Sequence, residues 1–316
     1  MNQTQKPAPI GELETGHNTE FSQHYIIDVA ENLRRLADEI DVLPGEIINN
    51  GALRRCGTRG RERGLDGWFL LRPDGSGVVG NHRTGEKRIF QPSRNSDKTP
   101  EERAELKRRF AAIHREREAE KLRIWAKAST DALKIWNAAM PASKSHPYAV
   151  RKEITVNGLR EWRGQLIVPV YGPDGLRGLQ FIPPELGAKK KFLTGTRVGG
   201  SFLLIGDVLP DSRGILVCEG VATGKTLHSE TNYPVYTAFS ASNLADVSQF
   251  VRVQYPRARI VIGADNDWQT PGNPGLTKAR EAAALVHGSV VFPPPLPGCS
   301  DFNDWYQILK GGGGHE

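Results

Sequence analysis

Two stretches decide the fold of this 316-residue chain: Ile215-Leu216-Val217-Cys218-Glu219-Gly220 and Ile260-Val261-Ile262-Gly263-Ala264-Asp265-Asn266-Asp267. Each begins with a short apolar run, as expected for a strand buried on both faces of a parallel sheet, and each reaches a carboxylate where the run ends. A third run, Val290-Val291-Phe292-Pro293, leads toward Asp301-Phe302-Asn303-Asp304. Strands alternate with helical stretches from Gly214 to Tyr306, which predicts a parallel α/β sheet.

The carboxylates beside these strands are the candidate catalytic and metal-binding residues. Ligands of open α/β sheets bind at the carboxyl ends of the strands, and alternation along extended backbone makes residues 265 and 267 face the same way. Clustered carboxylates repel each other, so we expect a hard cation, Mg²⁺ or Mn²⁺, among them. Taken singly, each acid also fits an ordinary turn or a helix cap, and the order of the acids favours the functional interpretation. The predicted metal ligands are Glu219, Asp265, Asp267, Asp301 and Asp304, with the first three catalytic.

One choice within this group stays open. Asp301 and Asp304 both precede the helical pattern of Trp305 to Leu309. One of them could cap that helix while the other faces the metal.

The composition indicates a soluble protein with a polyanionic partner. Lys and Arg number 42 against 36 Asp and Glu, giving a net charge of +6 and a pI of about 9.2. Three widely spaced cysteines without a C-x-x-C pair indicate neither disulfides nor zinc, and we expect no zinc. No apolar run is long enough to span a bilayer and no signal-peptide core is present, so we expect a cytoplasmic protein that binds no membrane.

The chain divides by pattern into six segments, and the fold class is α/β. An amphipathic pattern predicts a helix from Ile26 to Ile40, and Thr99-Pro100-Glu101-Glu102 predicts a helix start. Leu166 to Ile182 reads as a β-hairpin. The expected segments are a flexible tail at 1–20, a helix with a small β module at 21–98, a helical linker at 99–140, a basic β-rich subdomain at 141–208, the parallel sheet with flanking helices at 209–310, and a flexible tail at 311–316.

Basic residues mark two candidate binding sites for polyanions. Lys189, Lys190 and Lys191 lie between β-like stretches and could hold phosphates. Gly220 to Thr226 imitates a P-loop but has three residues between its glycines where that loop needs four, so we predict a helix start whose N-terminus, with Lys225, still favours a phosphate. The candidates for DNA binding surround the β module: Arg54, Arg55, Arg59, Arg61, Arg63, Arg83, Lys87 and Arg88.

The order of the acidic motifs resembles the Toprim domain of bacterial-type primases, type IA and type II topoisomerases, and some nucleases and recombination proteins. The resemblance covers about residues 210–310 and rests on Glu219-Gly220 and Asp265-x-Asp267, each after an apolar strand. The preceding segment resembles that of primases from plasmids, phages and integrative elements, in Leu166 to Ile182, Lys191-Phe192, Thr194-Gly195, and Gly199-Gly200-Ser201-Phe202.

This resemblance implies a DNA primase, a nucleotidyltransferase that joins NTPs into short RNA primers on single-stranded DNA during replication of a mobile element. It implies that Asp265 and Asp267 hold Mg²⁺, that Glu219 completes the site or acts as a base toward the primer 3′-hydroxyl, and that Lys191, with Lys189 and Lys190 as lesser candidates, holds phosphates. Unwinding of the template would need a separate helicase.

Two features depart from the family pattern. The module at 51–91 resembles the zinc-ribbon-like domain of these primases, but of its cysteine ligands only Cys56 is present. Position 223 is Thr, where many cellular primases carry an Asp. Both departures weaken the case for zinc and for a metal ligand at position 223.

Two other functions remain open. A Toprim-type nuclease would use the same acids to hydrolyse a phosphodiester, and a non-catalytic protein with a degenerate site would only bind single-stranded DNA. A topoisomerase would need a nucleophilic Tyr on a further domain, for which this chain has too little besides the Toprim segment. Trp68 and Phe69 could stack on bases, but we expect both to pack in the core.

Overall fold

The computed structural model describes residues 29–72, 75–91, 99–209 and 214–312. The chain forms two compact units, Met1–Glu118 and Ala119–Glu316. The expected tail at 1–20 and most of the linker after the β module lie outside the described residues. No helix among those residues has both the length and the apolar character needed to cross a bilayer.

The first unit packs a helix, α1, against an antiparallel sheet. Helix α1 covers 29–38 in the described residues and ends two residues before the predicted end, because the chain turns through Asp41 at a φ of 56°. Leu33 and Ala37 of α1 contact Phe69 and Val79 of the sheet in a buried core. The sheet has the order β1(Val42–Leu43), β2(Leu53–Thr58), β3(Gly67–Leu71), β4(Gly77–Asn81) and β5(Lys87–Phe90).

Helix α2, Pro100–Ala138, is a single helix over the predicted helical linker. Its C-terminal part belongs to the second unit, where Ala132 packs on Ile167 and Leu179. These two residues lie on the second antiparallel sheet, whose long hairpin is the one predicted from Leu166 to Ile182. The strand order of this sheet is β10(Lys191–Phe192), β9(Gly175–Ile182), β8(Gln165–Gly172), β7(Arg160–Trp162) and β6(Met140–Pro141).

The third sheet is the predicted parallel one. Strands β12 to β15 run parallel, and β11 joins one edge in the antiparallel direction. Its strands are almost wholly apolar because helices cover both faces. The order is β11(Leu203–Ile205), β13(Val235–Thr237), β12(Ile215–Cys218), β14(Ile260–Gly263) and β15(Ser289–Val291).

Within its described residues, the second unit also contains the helices α3(Pro147–Lys152), α4(Val221–Thr231), α5(Leu244–Gln254), α6(Pro274–Leu285) and α7(Phe302–Gly312). Helix α7 continues through Gly312, so the first two residues of the expected tail at 311–316 are helical. One buried cluster joins Leu166 and Val168 of the second sheet to Leu216 and Cys218 of the third. The expected segments 141–208 and 209–310 therefore share a core.

Candidate active site

The strand register places two of the predicted acids side by side. Strands β12 and β14 are neighbours, with Cys218 opposite Gly263. Glu219 and Asp265 consequently leave the sheet at the same edge, one and two residues beyond this pair. A Cβ at position 263 would lie 2.8 Å from the end of the Leu227 side chain, so a larger residue there would displace that side chain.

Asp265 lies at the centre of the electrostatic cluster. Burial, together with the charges of Glu219, Asp301, Asp267 and Asp304, raises the pKa of Asp265 to about 8. Its Oδ1 atom is buried and has no hydrogen-bond partner among the described residues. An unpartnered buried carboxylate oxygen is costly unless a cation approaches it.

Glu219 shares this environment but has two compensating neighbours. Burial and the charge of Asp267 raise the pKa of Glu219, while a hydrogen bond from the Ala241 N–H and the positive charge of Lys190 oppose the rise. The carboxylate is therefore held at the same edge as Asp265, within range of one lysine.

Asp267 is held by the start of helix α6. Its Oδ2 accepts a hydrogen bond from the Gly275 N–H at 2.9 Å. A Cβ at position 275 would lie 2.7 Å from the Asp265 carbonyl oxygen, so only glycine lets the helix approach this closely. The helix N-terminus favours the negative charge of the aspartate.

The structure separates the roles of Asp301 and Asp304. Asp301 caps α7, since its Oδ1 accepts from the Asp304 N–H at 2.9 Å. Asp304 uses both carboxylate oxygens, one with Lys152 Nζ at 2.9 Å and the other with Ser300 N–H and Oγ at 3.2 and 3.0 Å. Burial opposes ionisation of Asp304, but these partners outweigh it and keep its pKa below the ordinary value. Asp301 thus combines the cap with proximity to the acids, whereas Asp304 is committed to other partners.

The donor set fits a hard divalent cation. It consists of carboxylate oxygens that raise one another's proton affinity, and one of them is buried without a partner. Among the described residues, no three Asp, Glu, His or Cys side chains already converge on one ion-sized position. The residues that would hold Mg²⁺ are Glu219, Asp265, Asp267 and Asp301.

The three consecutive lysines have different environments. Lys190 is the one whose charge acts on Glu219, and its Nζ lies 5.4 Å from the centre of the Tyr148 ring. Lys189 and Lys191 instead line a cavity of about 440 Å³ together with Phe181 and Phe192. Lys190 thus acts electrostatically on an acid of the site, whereas Lys189 and Lys191 line the cavity.

Lys225 is buried, contrary to its predicted exposure to a phosphate. It is 6 % exposed, and its Nζ donates to the Asn157 carbonyl oxygen at 2.6 Å. Burial lowers its pKa to about 8. The segment 220–226 is the last residue before α4 and the first turns of that helix, so Lys225 is part of the packing between the helix and the 153–159 loop.

The basic residues of the first unit fall into two groups. Several are tied to acids of the same unit, as in Arg59 with Asp38 at 2.7 Å and Arg61 with Asp66 at 3.3 Å. Arg88 lies near Glu39 and Glu86, Arg83 donates to the Arg59 carbonyl, and Arg54 is half-buried. In the described part of the chain, no ion pair or hydrogen bond involves the side chains of Arg55, Arg63 or Lys87.

One row of residues crosses the open face of this sheet. The register aligns Arg55 with Trp68, Trp68 with Gly80, and Gly80 with Lys87. A Cβ at Gly80 would lie 2.5 Å from the indole ring, so the glycine lets Trp68 lie flat on the sheet. Phe69 points to the opposite face and is 2 % exposed, as expected for core packing, whereas Trp68 is only half-buried.

Sequence reasoning missed three contributors to the site. The Ala241 N–H donates to the Glu219 carboxylate, and the side-chain amides of Asn243 and Asn266 are buried and hydrogen-bonded. Only the position of Asn266 between two acids offered a hint of its importance. Backbone donors and buried amides act through partners distant in sequence, which local patterns do not reveal.

The parallel sheet and the order of its acids agree with the resemblance to a Toprim domain. Residues 214–310 match the family model described as Toprim domain. The chain therefore carries the predicted domain at its C-terminal end.

Comparison with known proteins extends the similarity upstream. The chain is 30 % identical over 271 residues to a protein named DNA primase TraC from Escherichia coli, and the aligned region covers 79 % of this chain. The chain spans 25 % of the length of that relative. Together with the Toprim match, this similarity confirms the predicted resemblance to Toprim primases of the mobile-element type.

A solved structure shows a looser likeness. It contains bacteriophage T7 lagging-strand DNA polymerase interacting with primase domains of two gp4 subunits bound to an RNA/DNA hybrid and dTTP. The match covers 51 % of this chain and 84 % of that chain, with 16 % identity and a TM-score of 0.37.

Proposed function

We propose that this protein is a DNA primase that makes short RNA primers on single-stranded DNA from NTPs, with Mg²⁺ or Mn²⁺, in the cytoplasm during replication of a mobile element. The observation that carries this proposal is the cluster of Glu219, Asp265, Asp267 and Asp301 at one sheet edge, where the acids act on one another electrostatically and Lys190 acts on Glu219. The similarity to a named DNA primase over 271 residues supports it.

The acids and the lysine have distinct tasks in this reaction. Asp265, Asp267 and Asp301 would hold the cation, whose positive charge would offset the negative charge that develops on the α-phosphate and on the departing pyrophosphate as the primer 3′-oxygen bonds to the α-phosphorus. Glu219 completes this site or takes the proton of the primer 3′-hydroxyl, a role that its raised pKa supports. Lys190 binds the triphosphate, because its positive charge acts at the edge that carries Glu219.

The cavity beside Lys190 extends the proposed nucleotide site. Its volume of about 440 Å³ is in the range of small-molecule pockets. Phe181 and Phe192 offer apolar surface for a base or sugar, and Lys189 and Lys191 offer charge for phosphates.

The template strand binds the open face of the first unit in this proposal. The row of Arg55, Trp68 and Lys87 supports this placement, because a half-buried indole between two cations suits both bases and phosphates. Like Arg55 and Lys87, Arg63 forms no side-chain ion pair among the described residues, and it is a further candidate for binding the template strand. A helicase is proposed as a separate partner.

The first test is incubation of the protein with single-stranded DNA, labelled NTPs and Mg²⁺, beside Asp265→Ala. We expect short RNA from the wild type and none from the variant, with folding and DNA binding retained. Asp246→Ala, which removes an exposed acid of α5, is the matched control and should keep full activity. DNA cleavage without NTPs would favour the nuclease. DNA binding with neither product would favour a non-catalytic protein.

A further inference from the structure

Asn243 is a buried polar residue that connects the acid edge to the glycine-rich segment after the lysines. It is 4 % exposed and closes the short 3-10 turn Ala241–Asn243, just before α5. A side chain buried this deeply does not reach a substrate. Any effect of Asn243 on the reaction must therefore pass through the groups that it holds.

The side-chain amide of Asn243 contacts four backbone groups. The two hydrogens on its Nδ2 serve three carbonyl oxygens, those of Ser201 and Ala238 at 2.8 Å and that of Val198 at 3.1 Å, so one hydrogen is shared between two acceptors. Its Oδ1 accepts from the Gly200 N–H at 2.8 Å. One side chain thus ties the 198–201 turn to the end of β13.

The 3-10 turn Ala241–Asn243 and the residues just before it also hold Glu219. The Ala241 N–H, two residues before Asn243, donates to the Glu219 carboxylate, and the Phe239 N–H donates to the Glu219 carbonyl oxygen at 2.8 Å. Phe239 has a φ of 66°, a conformation that is costly for an aromatic residue. The Asn243 bond to the Ala238 carbonyl, directly before this residue, helps to keep the chain in that conformation.

The other end of the connection, the 198–201 turn, lies four residues after Thr194, which lines the cavity of the proposed nucleotide site. The 198–201 turn follows the lysines and β10, and Gly200 adopts a φ of 66° that suits glycine. Arg177 donates to the Gly200 carbonyl and to Ser201 Oγ, both at 3.3 Å. The 198–201 turn therefore has a defined shape. The side chain of Asn243 connects this turn by hydrogen bonds to the edge of the Toprim sheet.

We propose that Asn243 is a positioning residue: it holds the 198–201 turn, and through it the lysines at 189–191 of the proposed nucleotide site, at a fixed distance from the Glu219 carboxylate. The proposal rests on the proposed primase function and deepens it. Loss of the amide would let the two parts of the site move relative to each other. A displacement of about 1 Å at a reacting centre can lower a rate about a hundredfold.

The test compares Asn243→Ala and the isosteric Asn243→Asp with the wild type. Asp keeps the acceptor for Gly200 but turns a negative charge toward three carbonyl oxygens. For both variants we expect kcat for primer synthesis to fall at least about tenfold and KM for NTP to rise severalfold, with unchanged affinity for single-stranded DNA. Asp should fail like Ala, although its volume matches Asn.

Val251→Ala is the control for a purely structural effect. Val251 is fully buried in α5, so the variant loses stability in the same domain without touching the 198–201 turn. A structural role lowers only the fraction of folded enzyme and leaves KM unchanged, as expected for Val251→Ala. An unchanged KM in both Asn243 variants, at a temperature where they are folded, would overturn the proposal.

A binding assay separates this proposal from the primase proposal. The affinity of each protein for a non-hydrolysable ATP analogue with Mg²⁺ is measured by calorimetry, and we expect weaker binding for both Asn243 variants than for Val251→Ala. A wild type that binds the analogue but makes no primer would contradict the primase proposal alone. Equal affinities in all four proteins, or no binding by the wild type, would overturn the role of Asn243.

Discussion

Asp265 shows how a residue can oppose stability in favour of function. Its carboxyl is placed where burial and neighbouring acids disfavour the charge, with one oxygen left unpartnered among the described residues. Such an arrangement lowers the stability of the protein without a cation and raises its affinity for one. The pKa of about 8 makes this conflict measurable.

We predict that Asp265→Asn is more stable than the wild type at pH 8 without metal, and about equally stable near pH 4. The folded protein holds the Asp265 proton up to about pH 8, whereas the unfolded chain releases it near its ordinary pKa of about 3.9. The unfolded state binds fewer protons in this window, so wild-type stability falls as pH rises through it. Thermal denaturation in EDTA at both pH values measures the difference.

Mg²⁺ provides the control for this prediction. It should raise the Tm of the wild type at pH 8 and change that of Asp265→Asn much less, because the cation binds the folded state through the ionised carboxylate. A lower Tm for Asp265→Asn than for the wild type at pH 8 in EDTA would contradict the prediction that the ionised Asp265 carboxylate destabilises the folded protein.

Helix α4 shows why a motif can look like a phosphate loop without being one. Gly224 and Lys225 occupy P-loop-like positions in the sequence, but both lie inside the helix. A Cβ at Gly224 would lie 2.5 Å from Thr237 Oγ1, 3.0 Å from Ile205 Cδ1 and 3.2 Å from Cys218 Sγ. The glycine is needed for close packing of α4 on the sheet, not for contact with a phosphate.

We predict that Gly224→Ala lowers the free energy of unfolding by about 1–3 kcal/mol, although alanine favours helices by up to about 1 kcal/mol. The matched variant Gly311→Ala lies in α7, where no atom is within 4 Å of the added methyl group, and should be neutral or slightly stabilising. Urea denaturation of both variants gives the comparison. Equal or higher stability of Gly224→Ala would contradict the packing role.

At the scale of the whole molecule, the two compact units have separate tasks in the proposed function. The first carries the open sheet face with Arg55, Trp68 and Lys87, and the second carries the acids and Lys190. Substitutions on the open face of the first unit should then affect template binding, and substitutions at the acids of the second unit should affect the chemical step.

We predict that Arg55→Ala with Lys87→Ala weakens binding to single-stranded DNA and lowers the slope of log K against log salt by about 1.4, since each lost phosphate contact on a single strand accounts for about 0.7. Arg61→Ala is the control, because Arg61 is paired with Asp66 and should change the slope little. Fluorescence anisotropy over a range of salt concentrations measures both. An equal effect of Arg61→Ala would indicate diffuse attraction instead of a defined face.

Local sequence patterns were sufficient to predict the parallel strands of the third sheet and the acids that follow them. Apolar runs of four or five residues that end at Glu219 and before Asp265 encode buried parallel strands, and the carboxyl ends of neighbouring parallel strands meet at one edge whatever the rest of the chain does. The hairpin at β8 and β9 was equally predictable, because its turn residues Pro173 and Asp174 are adjacent in sequence.

Long-range partners decided the rest, and only the folded chain brings them together. Lys152 forms an ion pair with Asp304, whereas Asp301 stays beside the other acids of the sheet edge. Lys225 is buried with its Nζ bonded to the Asn157 carbonyl oxygen, so it is not available to a phosphate. The strand register decides that Arg55 and Lys87 flank Trp68 while Arg59 and Arg61 pair with acids. A residue's type and neighbours determine whether it can carry charge or enter a strand, but its availability for function depends on contacts made across dozens of residues, which tertiary packing alone determines.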